Sequence, residues 1–156
     1  TGGDEDLCIA ALLHDAVEDC GGMPVAHEIR ARFGDKVADI VLGCSDSTTA
    51  NPADKDDKND VHAWRKRKIA YIAHAKSAPR AVRHVSCADK LHNARCILAD
   101  HRAHGDELWT RFKADAAGVL WYYRSLIEAF EQGEAPPHLG ELRRVVDALG
   151  ARVAAN

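Results

Sequence analysis

The chain has 156 residues, 46% of them hydrophobic and 29% charged, with a formal net charge of −3. That size and balance suit a folded protein with one core and exclude a disordered chain. No apolar run approaches the roughly 18 residues that cross a bilayer, and the slightly acidic total argues against a broad nucleic-acid surface, which is normally basic.

Taken in order, the chain reads as helical almost throughout. Residues 4–19 predict one buried helix, because Leu7, Ile9, Ala10, Leu12, Leu13, Ala16 and Val17 are too many for a single narrow stripe. Gly21-Gly22 stops it, and Pro24 suits the first position of the next helix. Val25, Ile29 and Phe33 recur every four residues, and Gly34 closes that segment. Asp35 is the expected N-cap of a third helix, with Val37, Ile40, Val41 and Cys44 inward.

Residues 45–60 are polar and contain Asn51-Pro52, the pattern of a loop long enough to expect a functional or mobile role. A basic helix is expected at about 62–76, with Trp64, Ile69 and Ile72 inward and Arg65, Lys66, Arg67 and Lys68 clustered near its start. Pro79 opens a helix to about residue 99, and Gly105 breaks the chain before a short turn holding Trp109 and Phe112. Residues 115–132 predict a helix whose Trp121, Tyr122 and Tyr123 read as core rather than as a base-stacking platform. After Pro136-Pro137, a last helix carries Leu139, Leu142, Val146 and Leu149. Nothing alternates over a strand's length, so the fold class is all-α, a helical bundle.

Five cysteines, odd in number and without a CxxC spacing, argue against a disulfide framework or a zinc ribbon. They read as small apolar residues packed in a reducing, cytoplasmic compartment.

The chemistry concentrates at His14-Asp15-Ala16-Val17-Glu18-Asp19. On a helix, Glu18 follows His14 by one turn and Asp19 follows Asp15 by one turn. Grouped carboxylates repel and are costly to bury, and a divalent cation relieves both problems. Histidine nitrogen with carboxylate oxygen suits manganese, iron, zinc or magnesium better than calcium. The alternative is a solvated helix end where acids cluster, although acids at a helix C-terminus oppose its dipole. A second segment, Ala88-Asp89-Lys90-Leu91-His92-Asn93-Ala94-Arg95, places Asp89 among apolar neighbours. A buried aspartate needs a cation or strong donors, and either a metal or a salt bridge to Lys90 or an arginine meets that need.

AALLHDAVED, IRARFGDKVADIV and ADKLHNAR together resemble the HD-domain hydrolases, in particular the branch that hydrolyses the alarmone ppGpp. WTRF and LWYYRSLIEAF are similar to the single-domain members, and the likeness runs from about residue 7 to residue 131. The resemblance implies an HD-domain helical bundle with His14, Asp15 and Asp89 on a divalent metal, usually Mn²⁺. It implies Glu18 and Asp19 beside the attacking water, and Asn93 on the nucleoside or its phosphate. The basic cluster around Lys66, and Arg111 in WTRF, are the further phosphate contacts expected. The implied substrate is guanosine tetra- or pentaphosphate, cleaved to GDP or GTP plus pyrophosphate, with no nucleic-acid or membrane partner.

The family's site has one more histidine, on a helix upstream of the HD pair, and no histidine precedes His14 here. The abrupt Thr1-Gly2-Gly3 start fits residues 1–156 being a single HD domain without its N-terminal helix or helices. Water or His62 in the vacant position, or a degenerate site, are the other readings. The remaining histidines read as solvated or structurally satisfied, except His92, which can line the pocket.

Overall fold

The computed structural model describes residues 4–45 and 60–155, so most of the long polar loop expected at 45–60 lies outside the described residues. Those residues form eight α-helices and a 3₁₀ segment, with no strand among them. The all-α expectation therefore holds. Among the described residues no helix is long and apolar enough to cross a membrane.

The helices are α1 (Glu5–Leu13), α2 (Ala16–Cys20), α3 (Met23–Phe33), α4 (Asp35–Cys44), α5 (Val61–Ser77), α6 (Arg80–His104), α7 (Ala116–Glu131) and α8 (Leu139–Ala154). The 3₁₀ segment, Gly105–Arg111, follows α6. They divide into two compact units. The first holds α1 to α4 with Ala78–Ser86, and the second holds α5 with the chain from Cys87 onward.

In the first unit, Ala10, Val17, Ile29, Val37, Ile40, Val41, Val82 and Val85 make the core. Asp4 caps α1, its Oδ1 accepting from the Leu7 N–H at 3.0 Å. Lys36 of α4 bridges Asp4 and Asp6, which ties the start of α1 to α4. Gly21 and Gly22 both take positive φ, 132° and 70°, a conformation that a Cβ would strain. Gly43 sits where α4 meets the start of α6, and a Cβ there would stand 2.6 Å from Val82 Cγ2. Alanine favours a helix over glycine by about 1 kcal/mol, but Val82 is buried and β-branched and cannot turn aside. Gly43→Ala is therefore expected to destabilise the protein by roughly 1–2 kcal/mol net, read as a lower midpoint in urea unfolding.

In the second unit, α7 supplies Leu126, Ile127 and Phe130 to a core shared with Leu91, Leu108, Leu142, Val146 and Leu149. Tyr122 and Tyr123 are buried in it, as core rather than platform. Asp115 caps α7 through the Gly118 N–H at 2.8 Å. His101 is fully buried and meets Asp106 Oδ1 at 3.1 Å, so it is structurally engaged.

Several local expectations are corrected. The helix expected at 4–19 breaks at His14-Asp15, and no glycine or proline marks that break. Within it Leu12 is 86% exposed, so α1 is not packed on all sides. Asp35 is the first residue of α4 rather than its cap, a place Gly34 takes with φ 89°. Asp35 instead accepts from Arg30 Nε at 2.8 Å. Phe33 and Ile69 are exposed where inward positions were expected, while Tyr71 fills the core beside Ala75. Helix α6 runs to His104, past the expected end near 99. All five cysteines are free, but only Cys44 and Cys87 are buried; Cys8, Cys20 and Cys96 are exposed.

Candidate metal centre and anion cavity

The break between α1 and α2 positions His14 and Asp15. His14 is the C-cap of α1, and Asp15, at φ −95° and ψ −4°, is the N-cap of α2. The His14 Nδ1 stands 2.9 Å from the carbonyl oxygen of Ala11. A carbonyl only accepts, so Nδ1 carries the proton and Nε2 keeps its lone pair in the neutral ring. That is the tautomer in which a histidine ligates a metal, with its other nitrogen held by a carbonyl. Nε2 lies 3.0 Å from Asp15 Oδ2. Two ligand atoms bound about 2.1 Å from one ion, at right angles, also stand about 3.0 Å apart. At that distance the pair suits either an imidazolium–carboxylate ion pair or two ligands of a shared cation. His14 Nε2 and Asp15 Oδ2 could thus supply two ligands to a divalent cation.

The carboxylates of α2 are exposed. The Asp19 N–H donates to the Asp15 carbonyl at 2.9 Å, which keeps Asp19 one turn beyond Asp15 as the sequence spacing predicts. Because the helix restarts at Ala16, Glu18 and Asp19 fall in the first turn of α2. In a helix of five residues these positions lie as near the C-terminal end as the N-terminal one, so the dipole argues neither for nor against a structural cluster.

Asp89 belongs to the second unit, on α6. Its side chain is only 10% exposed, as its apolar neighbours implied. Lys90 Nζ sits 2.5 Å from Asp89 Oδ2, and Asn93 Nδ2 donates to Asp89 Oδ1 at 2.8 Å. The salt bridge weighed against a metal for this aspartate is thus present. Burial works against the Lys90 charge, yet Tyr71, Tyr122 and Asp89 more than offset it and hold the ammonium well above its ordinary range. Burial also pushes the Tyr123 hydroxyl up, so it stays protonated and able to donate. Among the described residues no three His, Cys, Asp or Glu side chains gather as a metal's ligands.

Within the second unit, Lys90 and Asn93 line a cavity of about 340 Å³ together with Lys68, Asp100, Phe112, Tyr122 and Tyr123. Lys68 Nζ lies 4.9 Å above the Tyr122 ring. The lining brings two ammonium groups, an amide and two phenols together with one carboxylate, the Lys90 ammonium and the Asn93 amide being engaged with Asp89. Asn93, the expected nucleoside or phosphate contact, lines this cavity. Lys66 and Arg111 are exposed and do not line this cavity. Lys68 belongs to the basic cluster expected to contact phosphate, whereas Lys90 reads from the sequence only as a partner for Asp89, although Lys90, Asn93, Ile97 and Asp100 recur at helical spacing and so share one face of α6. His92 is exposed, its Nε2 3.7 Å from Cys96 Sγ. His62 is also exposed, at the start of α5.

The family model described as HD domain matches residues 1–120 of the chain. Among solved structures, the chain is similar to the crystal structure of lmo0812 from Listeria monocytogenes EGD-e. The two share 30% sequence identity over 94% of this chain and 88% of that one, with a TM-score of 0.76. No curated protein matches.

Proposed function

We propose that this chain, which belongs to the HD-domain family, is a phosphohydrolase that removes the 3′-pyrophosphate of guanosine alarmones, releasing GDP or GTP and pyrophosphate. HD domains are generally metal-dependent phosphohydrolases. The observation that carries the reading is the convergence of His14 Nε2 and Asp15 Oδ2 at 3.0 Å, with the His14 tautomer fixed by the Ala11 carbonyl. His14, Asp15 and Asp89 are proposed to hold the ion, with Mn²⁺ the one that suits the alarmone branch. The bound ion supplies Lewis acidity toward water and a phosphate oxygen.

The remaining steps belong to side chains of this protein. Glu18 or Asp19 accepts the proton of the attacking water. Asn93, Lys68 and Lys90 are proposed to bind phosphate in the cavity, where their donors offset the charge that develops on the leaving pyrophosphate. Lys66 and Arg111, both exposed, are proposed to steer the anion from outside the cavity. In the presence of Mn²⁺ the intact protein is expected to release pyrophosphate from ppGpp, with GDP as co-product. If ppGpp stays intact while nucleoside monophosphates or other phosphoesters turn over, the chemistry stands and the alarmone specificity is wrong.

A second reading is an HD domain that binds nucleotide without hydrolysis. The Lys90 ammonium on Asp89, and a donor set that pairs rather than triples among the described residues, favour it. Calorimetry that detects ppGpp binding, but neither Mn²⁺ binding nor turnover, would select it.

A further inference from the structure

We infer that Lys90 holds Asp89 in place of a metal and, when a cation takes that carboxylate, turns its ammonium to the anion in the cavity. The inference rests on the metal reading proposed above and extends it to the control of ligand order. Lys90 Nζ and Asp89 Oδ2 are 2.5 Å apart, and the two side chains are 17% and 10% exposed. Asn93 Nδ2 holds the other carboxylate oxygen at 2.8 Å, so the carboxylate is oriented by donors on both oxygens. The ammonium also stands 5.2 Å from the Tyr71 ring and lines the same cavity as Lys68 and Asn93. One charged group thus faces the carboxylate on one side and the cavity on the other.

A divalent cation and this ammonium seek the same lone pairs and repel each other. A cation that binds Asp89 must therefore displace Lys90 or bind beside it at reduced affinity. A displaced Lys90 leaves a buried positive charge without its carboxylate, which is costly unless an anion replaces it. Cation and anion then assist each other's binding, and the coupling is reciprocal.

The test is calorimetry of the full chain with MnCl₂, then with inorganic phosphate at saturating Mn²⁺, for the wild type, Lys90→Met and Lys90→Arg. Lys90→Met keeps much of the stem and removes the charge. It is expected to bind Mn²⁺ at least about tenfold more tightly, the weight of one hydrogen bond to a charged group, and to bind phosphate at least about tenfold more weakly. A merely structural lysine would weaken both. Lys90→Arg keeps the charge and is expected to match the wild type in Mn²⁺ affinity, a comparison that stands even if Lys90→Met fails to fold. Mn²⁺ binding by Lys90→Met that equals or falls below the wild type overturns the inference while leaving the metal reading in place. Arginine raising the Mn²⁺ affinity overturns the inference as well. Absence of Mn²⁺ binding in every folded protein overturns the metal reading, and the inference with it.

Discussion

Asp19→Asn and Glu18→Gln are each expected to lower pyrophosphate release by roughly 10²- to 10⁴-fold, the usual weight of a general base. Both carboxylates lie on the exposed side of α2, in its first turn. Amide replacements there keep the side-chain shape and remove only the charge, so the fold is expected to be retained. The Asp19 N–H to Asp15 carbonyl bond belongs to the backbone and survives the change of side chain. The predicted signature is a fall in kcat with the fold and Mn²⁺ affinity retained, because neither residue is assigned to the ion. Steady-state kinetics on ppGpp, with circular dichroism as the fold control, read it directly. Full turnover in one variant removes that residue from the acid–base role, and full turnover in both removes the role itself.

His14→Ala is expected to weaken Mn²⁺ binding by at least about 100-fold, since loss even of an outer partner of a metal ligand costs 10- to 100-fold. The argument is local. The Ala11 carbonyl fixes Nδ1 as the protonated nitrogen and leaves Nε2 facing Asp15 at 3.0 Å. Removing the imidazole removes the proposed nitrogen ligand that faces Asp15 Oδ2. The free-ion electron paramagnetic resonance signal of Mn²⁺, followed during titration, measures the loss. If His14→Ala sequesters Mn²⁺ as the wild type does, the HD pair is an ion pair in the fold and not half of a metal centre.

Much of this was legible in the sequence. The glycine stops at Gly21-Gly22 and Gly34, the inward stripe of Val37, Ile40 and Val41, and the burial of Asp89 follow from local pattern. The break at His14-Asp15 was not legible. It carries neither glycine nor proline, and apolar periodicity continues through Val17. That single missed break also removes the dipole argument about Glu18 and Asp19, which stand at the middle and near the end of a five-residue helix. Ile69 and Tyr71 show a different limit. Both are large and apolar and lie two positions apart on a helix, hence on nearly opposite faces. Sequence gave Ile69 the inward role, whereas packing buries the tyrosine. Of the site residues, the HD pair could be read from adjacent letters. The partners of Asp89 could not, because whether Lys90 or a metal neutralises it depends on rotamers that spacing does not set.

Anomalous diffraction from crystals of the intact protein soaked in Mn²⁺ tests the central claim most directly. The account predicts one manganese peak roughly 2.0–2.3 Å from His14 Nε2 and from carboxylate oxygens of Asp15 and Asp89, with Lys90 moved off Asp89. A manganese peak remote from His14 and Asp15, or no peak with the Lys90 ammonium still on Asp89, would contradict it.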